Sequence, residues 1–232
     1  VSCPICRDTG YDGSRLCACV KRRAAEIQKQ DLSTLLPVDK ETFSTFRLDY
    51  YSSQPDSRFG LSPRQMAQAN LQRCRSFAEH FGSSYENLLL YGSAGLGKTF
   101  LSSCIARTVT ERGFSVTYDT TISIFDQYNA VKFRTGDPAA AAHAVERFRS
   151  ADLLIVDDLG TEMPSSFHTS CLYDLISRRL MSRKPTILST NLLPAELESR
   201  YSQAIASRIL GEFTQLRFIG SDIRRIRKQQ RL

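Results

Sequence analysis

The chain has 232 residues, 41% hydrophobic and 24% charged, with a formal net charge of +7. That composition supports a buried core and excludes a disordered tail, and the length fits one large domain or one domain with an appendage. No apolar run approaches the roughly 18 residues that span a bilayer, and the N-terminal stretch is too polar and cysteine-rich for a secretory signal, so a cytoplasmic protein outside the membrane is expected. The chain begins at Val1 rather than Met, so a further segment is expected upstream.

Four of the seven cysteines come first, as Cys3-Pro4-Ile5-Cys6 and Cys17-Ala18-Cys19, around a polar turn at 8–13. Two close pairs of thiolates can converge tetrahedrally on one Zn²⁺, and four such ligands leave no open position, so the site is structural. A disulfide pair is the alternative, although clustered cysteines of a reducing compartment are more often metal ligands. The second pair, with one intervening residue, is tighter than the commoner spacing. Cys74, Cys104 and Cys171 stand in apolar helical contexts and read as buried small hydrophobes.

Residues 21–29 look helical, and Leu36-Pro37 with the polar run 51–57 punctuates a linker. Helical periodicity over 63–81 is followed by strands near 87–91, 114–118, 153–157, 186–190 and 216–219. They alternate with helices at 100–112, on either side of 135–138, at 166–181 and over 194–213. Such alternation implies an α/β fold, a five-stranded parallel sheet covered by helices on both faces, with ligands at the carboxyl ends of the strands.

The strongest chemical signal lies between the first of these strands and its helix: Gly92-Ser93-Ala94-Gly95-Leu96-Gly97-Lys98-Thr99. The glycines let consecutive backbone N–H groups turn toward an anion, and the following helix adds the positive end of its dipole. Lys98 is placed to reach the β and γ phosphates of ATP or ADP, and Thr99 to bind Mg²⁺. In 153–158 four apolar residues deliver Asp157 and Asp158 to a strand end, the first suited to hold Mg²⁺ through water and the second to orient or activate the attacking water. Asn191, at the end of the next strand, is placed to sense the γ phosphate. Three blocks follow: a zinc knuckle and helix over 1–30, a linker over 31–60 and a P-loop ATPase over 61–232.

Much of the basic excess lies beyond Asp222, in Arg224, Arg225, Arg227, Lys228 and Arg231. Such a tail is either a nucleic-acid patch acting through phosphate contacts or a solvated, frayed helix.

Together the phosphate loop, Asp157-Asp158, Asn191 and the later arginines resemble the AAA+ ATPases, and more narrowly the DnaC/DnaI-type bacterial helicase loaders. The stretches Cys3-Pro4-Ile5-Cys6-Arg7-Asp8-Thr9-Gly10-Tyr11, Tyr85-Glu86-Asn87-Leu88-Leu89-Leu90-Tyr91-Gly92, Asp157-Asp158-Leu159-Gly160-Thr161-Glu162 and Gly220-Ser221-Asp222-Ile223-Arg224 are similar to the Gram-positive members. The resemblance implies an ATPase that binds the replicative hexameric helicase and places it on single-stranded DNA. It implies that Arg208 is an arginine finger reaching a neighbouring subunit's ATP, through which the protein self-assembles, and that Arg224 is a second sensor. Some relatives carry another arginine four positions before the finger, where this chain has Ala204. The second acid, Asp158, is shorter than the Glu commonest among AAA+ proteins, which implies slow turnover.

For DNA contact the resemblance points to Lys132-Phe133-Arg134, Ser165 and Phe167, since an aromatic flanked by cations suits stacking on an unpaired base. The alternative is that both phenylalanines are core residues at helical spacing. Two other functions share features of the pattern: a transposition helper ATPase of the IstB type, in which the cysteine cluster is not expected, and a nucleotide-stabilised helicase adaptor without meaningful hydrolysis.

Overall fold

The computed structural model describes residues 3–229, the side chain of Lys21 excepted, so Arg231 lies outside the described residues. Chain order begins with a two-residue hairpin, β1 (Tyr11–Asp12) and β2 (Arg15–Leu16), within the cysteine-rich segment. Then come α1 (Ala18–Ser33), a 3₁₀ turn (Leu48–Tyr50), α2 (Pro63–Glu79), β3 (Leu88–Tyr91), α3 (Lys98–Glu111), β4 (Val116–Thr120), α4 (Thr121–Phe133) and α5 (Pro138–Ser150). The chain ends with β5 (Leu153–Leu159), α6 (Ser166–Met181), β6 (Thr186–Thr190), α7 (Pro194–Tyr201), α8 (Gln203–Glu212), β7 (Thr214–Arg217) and α9 (Ile223–Gln229).

Strands β3 to β7 form one parallel sheet in the order β4-β5-β6-β3-β7. Its three central strands, β5, β6 and β3, carry apolar residues on both faces, as a sheet covered on both sides requires. Successive residues serve opposite cores: Leu88, Leu90, Leu153, Ile155 and Ile187 pack with α2 and α3, while Leu89, Tyr91, Leu154, Val156 and Leu188 pack with α4 to α8. Every one of those ten side chains is buried.

Local signals set most helix starts. Ser62 and Gln65 form a reciprocal cap ahead of Pro63, and the Asp137 carboxylate accepts from the N–H groups of Ala139 and Ala140 ahead of Pro138. The helices expected over 194–213 are two, divided at Ser202, whose hydroxyl caps the second by accepting from Ile205 N–H at 3.4 Å. The last strand lies at Thr214–Arg217 rather than 216–219. Phe218 and Ile219 are apolar because they are buried beyond the strand, the Phe218 carbonyl lying 2.2 Å from where a Cβ on Gly92 would stand.

Between α1 and α2 the chain has little regular structure, yet it is packed. Leu36, Val38 and Tyr51 are buried, and Leu36 and Val38 join Leu32 in the α2–α3 core. Gln28 of α1 donates to the Val116 carbonyl on the edge strand β4 at 3.2 Å. Cys74, Cys104 and Cys171 are buried, as their contexts implied, and burial raises all three thiols.

Candidate nucleotide site

The phosphate loop, residues 92–99, joins the carboxyl end of β3 to the N-terminus of α3, whose N-cap is Gly97 at φ +92°. Both walls of the loop come from outside the sheet. The Tyr51 hydroxyl donates to the Leu96 carbonyl at 2.8 Å and would lie 2.7 Å from a Cβ on Gly97. On the other side Ile223 N–H donates to the Gly95 carbonyl at 3.0 Å, and the Asp222 carboxylate would lie 2.0 Å from a Cβ on Gly95. Glycine is required at both positions by the positive φ and by the close approach.

Between these walls lies a cleft of about 730 Å³, lined by the loop, Phe46, Arg47, Tyr50, Tyr51, Asp158, Thr161, Asn191, Arg224 and Arg227. The basic tail therefore turns two of its cations toward the nucleotide cleft, within helix α9. Lys98 is almost wholly buried and donates to the carbonyls of Gly92 and Ser93 at 2.5 and 2.8 Å and to Asn191 Oδ1 at 2.9 Å. Burial draws its ammonium down to about 8, against the pull of Asp158 and Asp157.

Asp157 is buried at the end of β5. Its Oδ2 accepts from Thr99 at 2.9 Å and from the Tyr118 hydroxyl at 2.8 Å, and its Oδ1 accepts from Ser189 and from Asp158 N–H at 3.2 Å. Burial, with Asp157 beside it, pushes the Tyr118 phenol up, so it remains a donor. Strand alternation alone would send the two acids to opposite faces. The β5–β6 register slips there, Val156 opposite Leu188 but Leu159 opposite Thr190, so β5 carries one extra residue. Asp158 absorbs it at φ +56° and lines the cleft. Burial and the adjacent Asp157 raise its carboxyl above the usual range, and Lys98 and Arg224 partly offset them.

Arg208 does not line this cleft. Its guanidinium donates to the Tyr173 hydroxyl at 2.8 Å and lies 4.8 Å from that ring's centroid. Among the described residues it makes no ion pair.

The four N-terminal cysteines are free thiols whose sulfurs all lie within 4.8 Å of one another, Cys3 to Cys17 at 3.8 Å and Cys6 to Cys19 at 3.4 Å. A tetrahedron of thiolates at the usual Zn–S length has sulfurs about 3.8 Å apart, so the donor set fits zinc. Backbone N–H groups of Cys6 and Ile5 bring the Cys3 thiol down to about 7, while the neighbouring sulfur of Cys6 pushes Cys19 up to about 12. One thiolate forms readily and the next resists without a cation among them. Asp8 and the β1–β2 hairpin hold the loop, Asp8 Oδ1 accepting from Cys3 N–H at 2.9 Å.

Lys132, Phe133 and Arg134 end α4, and Ser165 and Phe167 begin α6. The fold brings these separate segments together. The two rings meet edge-on at 6.3 Å, and Lys132 Nζ lies 3.8 Å from the Phe167 centroid and 5.2 Å from that of Phe133. Phe133 is 62% exposed and is not a core residue, whereas Phe167 is half-buried and packs against the core. Ser165 caps α6.

Tyr118, Ser189, Tyr51 and Arg227 are the site residues that motif reasoning missed. Each belongs to an element with its own structural pattern, and only the topology brings it to the loop.

A family model described as IstB-like ATP binding protein matches residues 56–230. The chain is 25% identical over 141 residues to the replicative helicase loader DnaC of Escherichia coli (strain K12), covering 60% of this chain and 56% of that protein. It thus spans little more than half the length of that relative. An ATP-binding protein in an insertion sequence of Mycobacterium tuberculosis is 28% identical over 116 residues, 47% of this chain and 42% of that one. The crystal structure of the DnaC helicase loader matches with a TM-score of 0.60 at 21% identity, over 76% of this chain and 98% of that one, which is a likeness of fold.

Proposed function

The chain belongs to the IstB-like ATP-binding protein family, with a DnaC-type AAA+ core, and from that premise we propose that it is an ATP-hydrolysing loader that places the replicative helicase on single-stranded DNA. The observation that favours a loader over other members is the N-terminal set of four converging sulfurs ahead of the nucleotide cleft. Cys3, Cys6, Cys17 and Cys19 would hold one Zn²⁺, which would order this segment ahead of the ATPase core.

In this reading Lys98 exchanges its carbonyl and Asn191 partners for the β and γ phosphates, which frees the Asn191 amide to sense the γ phosphate. Thr99 and Asp157, whose side chains are hydrogen-bonded at 2.9 Å, would hold Mg²⁺, Asp157 through water, with Tyr118 and Ser189 fixing the carboxylate. The bound ion supplies charge neutralisation along the phosphates. Asp158, whose carboxyl is raised above the usual range by burial and the adjacent Asp157, orients the attacking water and as a carboxylate accepts its proton. Arg224 contributes from α9. Arg208, held on Tyr173 and outside the lining of its own cleft, completes the site of a neighbouring subunit. The exposed Phe133, with Lys132, Arg134, Ser165 and Phe167, receives single-stranded DNA by stacking and phosphate contact.

Capture of the host's replicative helicase in the presence of ATP, together with transfer of that helicase onto protein-coated single-stranded DNA, tests this function. Absence of helicase capture with either ATP or ADP, by protein shown to hold zinc and nucleotide, refutes it. The insertion-sequence relative favours a second reading, a transposition helper, which stimulation of strand transfer by a partner transposase would support.

A further inference from the structure

Glu162 has no part in the chemistry above, yet it is 6% exposed. Its Oε2 accepts from Gly160 N–H at 3.0 Å and its Oε1 from the Tyr201 hydroxyl at 2.6 Å. The Arg200 guanidinium lies 3.8 Å from Oε1 and also donates to the Glu162 backbone carbonyl. The Arg200 side chain is half-buried, with its Nε buried and without a partner of its own. Burial and the Glu162 carboxylate push the Tyr201 phenol up, which keeps it a donor.

This carboxylate joins two places that matter for hydrolysis. Behind it, the turn that follows β5 is one hydrogen-bonded unit: the N–H and hydroxyl of Thr161 both return to the Asp158 carbonyl, at 3.2 and 2.8 Å. Gly160, at φ +99°, presses on Leu192, whose Cδ1 would lie 2.5 Å from a Cβ there, so the turn also bears on the residue after Asn191. Ahead of it, Arg200 and Tyr201 are the last residues of α7, and Ser202 at once caps α8, which carries Arg208.

We propose that Glu162 is a positioning residue for ATP hydrolysis, a strut that fixes the α7–α8 corner against the Asp158 turn so that the state of one subunit's cleft sets how its Arg208 is presented to the next. This inference rests on the reading of Arg208 as a finger acting in trans. A turn that shifts when γ phosphate arrives moves Glu162, and with it the corner and the finger. The coupling needs no path through the hydrophobic core, because two side-chain bonds span the gap between the elements.

The test is a double-mutant cycle between Tyr201→Phe and Arg208→Ala, read by hydrolysis at saturating ATP and by ADP affinity. Tyr201→Phe removes one hydroxyl and keeps the ring that the core needs, so ADP affinity and KM stay near wild type. Its kcat falls about tenfold, the rate equivalent of one hydrogen bond to a charged group. In the Arg208→Ala background the same substitution causes no further loss. A merely structural bond gives losses that multiply in the double variant, and that result, or a wild-type rate for Tyr201→Phe beside an impaired Arg208→Ala, overturns the inference while leaving the finger in place. A wild-type rate for Arg208→Ala removes the finger itself, and the inference with it. Glu162→Ala provides a second arm, with the same non-additivity expected in protein that binds ADP normally.

Discussion

Nucleotide binding should take up protons, because burial in the cleft holds Lys98 near 8 rather than at its ordinary value of 10.5. Polyphosphate beside the ammonium restores its full charge. Uptake per site is then about half a proton at pH 8, about nine-tenths at pH 9 and about a tenth at pH 7. Above pH 8 the apparent affinity falls about tenfold per pH unit until the bound form itself titrates. The sign for folding follows from the same gap. Between pH 8 and 10.5 the unfolded chain holds more protons at this residue than the folded one, so stability rises with pH across that window. The penalty for charged Lys98, on the order of 3 kcal/mol, is fully present below it. Calorimetry of ADP binding at pH 8 in buffers of different ionisation enthalpy measures the uptake. Lys98→Arg keeps the charge without titrating, so its binding heat should not depend on the buffer. A wild-type heat equally independent of buffer at pH 8 would show that burial does not draw Lys98 down, and the reasoning would fail.

Asp158→Asn should bind ATP as the wild type does and lose hydrolysis, and mixing it with Arg208→Ala should restore part of the activity if the finger acts in trans; single-turnover assays of co-assembled mixtures decide. Gly97→Ala should lower stability by about 1–3 kcal/mol and abolish ADP binding, since its Cβ meets the Tyr51 hydroxyl at positive φ, and a denaturant titration with ADP fluorescence checks both. Cys6→Ser should lose zinc, measured by metal analysis, with ADP affinity unchanged. Arg179→Leu should cost about 3–5 kcal/mol by urea unfolding. That buried guanidinium donates to the carbonyls of Phe148, Arg149, Ala151 and Pro185 and to the Thr186 hydroxyl, all of which lose their donor together.

The parts of this protein legible in its sequence are those whose chemistry needs neighbouring residues. A phosphate cradle must be a contiguous loop, an acidic strand end must follow its apolar run, and paired cysteines must be close along the chain. The alternation of strands and helices was legible for the same reason, since burial on both faces leaves unbroken apolar runs such as Leu153 to Val156. What converges from distant segments was not. Tyr118 and Ser189 read as ordinary strand residues until the sheet order sets β4 and β6 on either side of β5. The extra residue that turns Asp158 into the cleft leaves no mark in composition, and the apolar pair Phe218-Ile219 imitates a strand because a buried loop needs the same residue types. Phe133 shows the limit of periodicity, for its helical spacing is compatible with a core position and only the packing leaves it at the surface.

The walls of the cleft have a further consequence. Tyr51 precedes the sheet in the chain and Ile223 follows it, and each is tied to the phosphate loop by one hydrogen bond. Docking of both flanking segments and occupancy of the loop are therefore linked equilibria, and a ligand that favours the docked arrangement stabilises both segments by the same free energy with which they favour the ligand. Amide exchange at 46–51 and 223–227 should slow together when ADP binds, while amides whose local opening leaves the bound nucleotide in place should change far less.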